Sequence, residues 1–482
     1  MDEGRRELFT PAEAAEHTSL TLLHAPEGGA EQGVFRVVSD SRDAEEGALF
    51  VALAGEKTDG HRFLDDVAAA GSAAVLVSAE FSRRAGSEAY LRQLGPAVLV
   101  AEDPLSGLQE LAAWWVERHP ECTRIGVTGS NGKTTTKEII AAILSRDRKT
   151  VWNEGNYNSE IGLPLSVFNI APHHRYGVFE MGMNRKGEMA ILSQVLRPRY
   201  MVLTMIGSAH IGLLGSREAI AEEKARPFVD LPADGAGFLP EECPWAERFT
   251  PRSGAPLYRF GPQHVEGYGS AESLGLEGWL IELNGRKARF PLVGEHNLHN
   301  ALAAVRLARF LGISWETIRH GLEEVQPVWG RSVISRGAVT IVEDSYNANI
   351  ESMTAMLHWL AAAASGRLIC VLGAMKELGS ETEEAHRQLG RAVAETSPDA
   401  VFFFGEETDA ALEEVRKAGF PGRSAAYTAY EKLERAVVDS VETGDTVLLK
   451  GSRSMELERL VQPIRKMTEQ KGSAQQTAGG PA

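Results

Sequence analysis

Short apolar runs alternate with polar, glycine-bearing turns through the first hundred residues, around Val34–Val38, Leu49–Leu53, Ala74–Val77 and Val98–Val100. Runs of that length predict strands, and the helical spacing between the later ones predicts a small α/β unit. A second series opens near Glu121, with strands predicted at Arg124–Val127, Tyr176–Phe179 and Tyr200–Thr204 and a helix at Glu218–Val229. Asn284-Gly285 between Gly278–Leu283 and Lys287–Leu292 predicts a hairpin. From about Pro327, strands at Thr340–Val342, Leu368–Leu372, Val401–Phe404 and Val447–Leu449 alternate with helices such as Glu383–Glu395 and Asp409–Lys417, a doubly wound pattern. The stretch from Gln470 lacks apolar anchors, and residues 470–482 are expected to be disordered.

A chain of 482 residues is too long for one core and predicts about three domains. The fold class that follows is α/β: a small N-terminal α/β domain over 1–118, a central domain with a mostly parallel sheet and a P-loop ATPase-like start over 119–326, and a C-terminal Rossmann-like doubly wound domain over 327–469. No apolar run reaches spanning length and residues 1–6 lack a signal-peptide core, so the expectation is a cytoplasmic protein without membrane insertion. Cys122, Cys243 and Cys370 are widely separated, which predicts buried small residues and no disulfide or zinc framework. A net charge of −16 argues against nucleic-acid binding but not against a small anion held by local donors.

Candidate chemistry centres on Thr128-Gly129-Ser130-Asn131-Gly132-Lys133-Thr134-Thr135, lying between an apolar strand and a helix with Ile139, Ile140, Ile143 and Leu144 on one face. The two glycines let consecutive N–H groups turn inward at a helix N-terminus, Lys133 supplies a cation for phosphates, and the Thr134 hydroxyl suits Mg²⁺. Val127 stands where the usual spacing wants glycine, so this is a shortened variant of the loop. Glu180, at the C-terminal end of a strand in the same sheet, is placed to hold the metal. His210 lies just past another strand end, as either a ligand or an ordinary hydrogen-bonded histidine. Lys224, among Glu222, Glu223 and Arg226, reads by charge pattern as part of a solvated face.

Several polar loops could hold ligands or simply turn the chain. Ser39-Asp40-Ser41-Arg42 and Gly55–His61 follow successive strands. Asn156-Tyr157-Asn158 lies in a dense amide-rich loop that begins at Asn153. Asn297 and Asn300 share one face of a helix's first turn, where capping explains only one of them. Asp344–Asn349, Gly373–Gly379 and Lys450–Arg453 close strands of the third unit, at an edge where open α/β sheets bind ligands.

Taken together these stretches resemble the Mur ligases, ATP-dependent amide-forming enzymes. The general likeness rests on Thr128–Thr135, Glu180, His210, Lys224, Glu295–Asn300 and Gly330-Arg331. Asn156–Asn158 with Ile161–Pro164, Asp344–Asn349 and Lys450–Arg453 make it similar to the members that join D-alanyl-D-alanine to UDP-N-acetylmuramoyl-tripeptide. The resemblance implies that the N-terminal domain holds the uridine nucleotide through Ser39, Asp40, Ser41 and Arg42. It implies ATP on Gly129–Thr135, Asn297, Asn300, Arg331 and Asp344, and catalytic roles for Lys133, Glu180, His210 and Lys224. Two Mg²⁺ sites would use Thr134, Glu180, His210 and a carbamylated Lys224, which reverses the solvated-face reading of that lysine. Asn156, Tyr157, Asn158, Tyr346, Asn347, Asn349, Lys450 and Ser452 would meet substrate, the protein would act as a monomer, and His386 is a candidate base. The chain departs from the family pattern at Ile350, where proline is common, and at Phe238–Glu242, where a polar stretch is usual, so the central sheet is expected to end differently. A folylpolyglutamate-type ligase would share the phosphate loop but lack the Asn156 and Asn347 loops. A catalytically silent nucleotide-binding regulator would not need Lys133, Thr134, Glu180 and Lys224 together.

Overall fold

The expected strands assemble into three main sheets in the computed structural model, which describes residues 6–55 and 58–478. The first contains β1 (Thr21–His24), β2 (Arg36–Val38), β3 (Ala48–Val51), β4 (Ala74–Ser78) and β5 (Ala97–Ala101) in the order β1-β5-β4-β3-β2. Its members are parallel except β1, which pairs antiparallel with β5. The loops after β2 and β3 therefore emerge at one sheet end, as the sequence suggested. Glu56 and Lys57 of the second loop lie outside the described residues.

The central sheet contains β6 (Thr123–Thr128), β7 (Thr150–Trp152), β8 (Tyr176–Glu180), β9 (Tyr200–Leu203), β10 (Ala236–Pro240) and β11 (Leu257–Phe260), all parallel, in the order β11-β10-β9-β6-β8-β7. Within Phe238–Glu242, residues Phe238–Pro240 thus form the end of β10, and the sheet continues one strand beyond it. β6 lies between β9 and β8, so its C-terminal end opens where successive connections leave in opposite directions. That is where open α/β sheets receive ligands. The expected hairpin forms with β13 (Trp279–Leu283) and β14 (Arg286–Phe290), joined by β12 (Tyr268–Ser273). Asn284 and Gly285 both have positive φ, as a two-residue hairpin turn requires.

The third sheet contains β15 (Val333–Ser335), β16 (Thr340–Asp344), β17 (Leu368–Gly373), β18 (Ala400–Phe404), β19 (Arg423–Tyr427) and β20 (Thr446–Lys450), in the order β15-β16-β20-β17-β18-β19 with only β15 antiparallel. Disorder was expected over 470–482; the last helix, Val461–Ala478, runs into that stretch as far as Ala478, and 479–482 lie outside the described residues. Gln, Lys and Ala carry good helix propensity, and the one proline of that stretch, Pro481, lies outside the described residues.

A continuous buried core runs from Phe9 and Leu49 of the first unit through Leu108, Leu111 and Trp115 to Leu163, Phe179 and Leu192 of the central one. The helix Pro104–Glu117 is the bridge, buried along one face between the two sheets.

Candidate functional site

The phosphate loop folds as its glycines dictate. Gly129 (φ 151°) and Gly132 (φ 78°) occupy backbone that side chains rarely adopt, and a Cβ would fall 1.8 Å from Thr204 Oγ1 and 2.5 Å from Asn300 Oδ1 respectively. Ser130 N–H donates to the Met205 carbonyl at 2.8 Å, and Ser130 Oγ accepts from Gly207 N–H at 2.9 Å. Thr204 Oγ1 donates to the Asn131 carbonyl at 2.5 Å. These ties fix the loop before any ligand arrives. The helix Lys133–Ser145 then starts with its free N–H groups and positive end at the loop.

Lys133 has one long hydrogen bond, 3.5 Å to the Ser130 carbonyl, and burial lowers its pKa while the Glu180 carboxylate opposes that shift. A half-buried ammonium with so little to bond is suited to an incoming anion. Thr134 Oγ1 donates to Glu180 Oε2 at 2.6 Å and Asn158 Nδ2 donates to Oε1 at 2.7 Å, so strand end, phosphate loop and amide-rich loop converge on one carboxylate. Asn156 and Tyr157 of that amide-rich loop are exposed beside Asn158, and Thr135 is half-buried in the helix.

Asn153, which the sequence marks only as the start of the amide-rich loop, holds the Glu180 backbone from both sides: Oδ1 accepts from Glu180 N–H at 2.8 Å and Nδ2 donates to its carbonyl at 3.0 Å. Fully buried Lys137 in turn donates to the Asn153 carbonyl. A second lysine one helical turn after Lys133 was the available signal.

Lys224 is 1% exposed, so the solvated-face reading is overturned. Glu222 and Arg226 do occupy the wet face of the helix Arg217–Val229, but Lys224 points inward. Burial holds its amine well below the usual lysine range, and the Lys133 charge pushes the same way. His210 Nδ1 stands 2.7 Å from Glu377 Oε2 of the third unit, a close charge contact that misses hydrogen-bond alignment. Burial and then Lys133 depress its pKa.

Asn297 and Asn300 form a chain, with Asn300 Nδ2 donating to Asn297 Oδ1 at 3.1 Å and Asn297 Nδ2 donating to the Val293 carbonyl at 2.8 Å. Asn300 is thereby held against Gly132. His296, one turn earlier, also escaped the sequence reading; burial pushes its pKa down to about 4, against the pull of Asp344. From the third unit, the Arg331 guanidinium lies 4.1 Å over the Tyr346 ring with its Nε buried and without a hydrogen-bond partner.

Four expected ligand contacts are arranged differently. Lys450 is 2% exposed and donates to Asp344 Oδ2 at 2.5 Å, because β16 and β20 are neighbours and the pair neutralises itself. Ser332 N–H occupies the other Asp344 oxygen at 3.1 Å. Ser452 Oγ accepts from Lys376 N–H at 3.0 Å. Asn349 caps the helix Ile350–Ala363, and its amide pairs reciprocally with Asn131 at 3.0 and 2.7 Å, so it clasps the phosphate loop and does not face an open cleft. Asn347 remains exposed. His386 is fully buried; Nε2 accepts from Met375 N–H at 3.1 Å and Nδ1 donates to the Thr382 carbonyl at 2.7 Å, leaving no nitrogen to act as base.

Ser39–Arg42 lie apart, on the first sheet. Asp40 accepts from Arg42 N–H at 3.0 Å, and the hydrogen bonds from Arg42 hold its carboxyl down at about 2. The Arg42 side chain is 87% exposed, with Nε donating to Asp40 Oδ1 at 2.9 Å and Nη2 to Oδ2 at 2.5 Å, so an anion would meet an exposed ion pair there. In the neighbouring loop His61 is spent internally, between Asp59 at 2.6 Å and Ser78 N–H at 3.0 Å.

The donor set fits a hard divalent cation. Among the described residues no three His, Cys, Asp or Glu side chains gather into a protein-only metal cage. A hydroxyl and one carboxylate beside a phosphate cradle match Mg²⁺, which takes few protein ligands and shares phosphate oxygens.

Fold and site together define a phosphate-loop enzyme of three α/β units, with the nucleotide loop enclosed between the second and third. The chain belongs to the Mur ligase family. Family models match in sequence order: the Mur ligase family, catalytic domain over residues 36–114, the Mur ligase middle domain over 127–308, and the Mur ligase, glutamate ligase domain over 330–453. The UDP-N-acetylmuramoyl-tripeptide--D-alanyl-D-alanine ligase of Treponema pallidum is 39% identical over 442 residues, 90% of this chain and 95% of the relative. A crystal structure of MurF from Acinetobacter baumannii matches with a TM-score of 0.86 at 29% identity, over 96% of this chain and all of that one. MurF ligase from Thermotoga maritima, in complex with ADP, matches at 0.76 and 27% identity over 90% and 98%.

Proposed function

We propose that this protein joins D-alanyl-D-alanine to UDP-N-acetylmuramoyl-tripeptide, using ATP and releasing ADP and phosphate, as a cytoplasmic monomer. The observation that carries this is the convergence of Thr134 and Asn158 on Glu180, within the electrostatic reach of Lys133, in a chain that covers its named relatives almost end to end. Among the described residues no helix is long and apolar enough to cross a membrane. The work divides among residues 1–118 for the uridine substrate, 119–326 for ATP and 327–469 for closing over the reaction.

A carboxylate is a poor acyl donor at neutral pH, so it first takes the γ-phosphate and becomes an acyl phosphate. Two anions must then approach each other, and Lys133 with the loop N–H groups offsets that repulsion in a site shielded from water. Mg²⁺ held by Thr134 and Glu180, and a second by His210 and Lys224, would neutralise the triphosphate and the substrate carboxylate. Lys224 serves that end as a carbamate, which only its neutral amine can form; burial of the amine favours that state. Asn297, Asn300 and Arg331 line the nucleotide, and Asn156, Tyr157, Tyr346 and Asn347 face the acceptor side. The dipeptide amine attacks the acyl phosphate and phosphate leaves.

ADP release is the decisive measurement. It is expected to require both the UDP-linked tripeptide and D-alanyl-D-alanine for full rate, and to disappear in Lys133→Ala while the thermal melt is unchanged. ADP released by a folate polyglutamate acceptor instead, or no ADP under any pairing, would replace this reading with one of its two rivals.

A further inference from the structure

His210 and Glu377 meet across the seam between the central and third units, each at φ 65°. Left-handed backbone is uncommon for such residues and tends to be retained where function holds it. Here the seam holds both. Gly212 N–H donates to the Glu377 carbonyl at 3.1 Å, and a Cβ on Gly212 would lie 2.5 Å from Gly379 N, so the two backbones touch with no room for a side chain. The Glu377 side chain is 54% exposed, which makes it a poor candidate for holding the fold together. Seating of the units has other support, since Glu351 accepts from Ser208 N–H at 3.0 Å and from its hydroxyl at 2.8 Å and pairs with Arg217 at 2.7 Å. With Nδ1 taken by a carboxylate, an imidazole presents Nε2 as its remaining ligand atom.

We propose that Glu377 is a positioning residue for His210: when the third unit seats, its carboxylate takes Nδ1 and turns Nε2 toward the phosphate site, which is completed only in the seated arrangement. The proposal rests on the reading of His210 given above. It makes an exposed residue of one unit part of the other unit's chemistry.

The test uses the full-length chain with Glu377→Ala, Glu377→Gln, His210→Ala and the double variant Glu377→Ala/His210→Ala. Glu377→Ala is expected to lower kcat about ten- to a hundredfold, as loss of an orienting partner does, with KM for ATP and for the UDP substrate within about twofold. Glu377→Gln, which keeps an acceptor at the same reach, recovers most of that loss. His210→Ala loses at least as much as Glu377→Ala, and the double variant is no worse than His210→Ala alone. Independently of turnover, Mn²⁺ binding followed by electron paramagnetic resonance with ADP and the UDP substrate present should weaken about tenfold at one site in Glu377→Ala and in His210→Ala. Wild-type kcat and Mn²⁺ binding in Glu377→Ala, or losses that multiply in the double variant, overturn the proposal and leave the ligase reading intact. Full activity in His210→Ala overturns it together with the role of His210, while Lys133→Ala still tests the ligase reading separately. Should Glu377→Ala melt early, the Glu377→Gln and His210→Ala pair carries the same comparison.

Discussion

Lys224 shows how much one side chain's meaning depends on its surroundings. Its sequence neighbours describe a wet helix face, yet its amine is buried within reach of the Lys133 and Glu180 charges. A protonated amine would repel a cation, so a metal role needs the carbamate. Lys224→Ala is therefore expected to lower ADP release about a hundredfold, and millimolar acetate or formate in the assay should restore part of it by filling the vacated place with a carboxylate. A Lys224→Ala enzyme of normal rate would return the lysine to a packing role. Lys450 makes the converse point: polar and next to a glycine, it looked like a ligand residue, and it is consumed by Asp344.

Among the elements, the helix Ile350–Ala363 joins local and long-range demands in one residue. Asn349 Oδ1 accepts from Ser352 N–H at 3.0 Å as an N-cap, while its amide clasps Asn131 of the phosphate loop. Asn349→Ala should cost about 1 kcal/mol of stability through the lost cap, seen as a lower denaturant midpoint, and should raise KM for ATP several-fold. Asn349→Asp separates the cap from half of the clasp, because it still accepts from Ser352 N–H and Asn131 Nδ2 but cannot donate to Asn131 Oδ1. It should hold its midpoint and still show a raised KM; an unchanged KM there would mean the bond from Asn349 Nδ2 to Asn131 is idle. Among the strands, those the sequence missed include the edges β1, β15 and β19, which are half-exposed and only 4, 3 and 5 residues long. Those it found include β4, β9 and β17, buried along their length.

At the scale of the molecule the two seams differ in kind. The first and central units share an apolar core through the helix Pro104–Glu117, whereas the central and third units meet through polar pairs, Asn131 with Asn349, Ser208 and Arg217 with Glu351, and His210 with Glu377, together with Ile211 and Leu276 packed on the third unit's core. Polar pairs can be exchanged for water at small net cost, so the second seam costs less to part than the first. The Arg42 loop and the phosphate loop stand on different sheets of the fused pair. Arg42→Ala is accordingly expected to raise KM for the UDP-linked substrate and leave KM for ATP nearly unchanged, measured by varying each at saturating levels of the other. A defect confined to ATP would mean that the uridine nucleotide binds elsewhere.

The sequence by itself determined the three α/β units, the phosphate loop and the carboxylate at the end of β8, because these depend on local conformation: glycine turns, short apolar runs and a helix start. Tertiary structure alone decided which polar side chains are free to meet a ligand. Lys224, Asn349, Lys450, Ser452 and His386 are all polar residues near a turn or a helix, and nothing in their neighbours along the chain reports whether a distant carboxylate, amide or backbone group has already claimed them. Burial and hydrogen-bond partnership are set by residues tens to hundreds of positions away, which only the folded chain brings into contact.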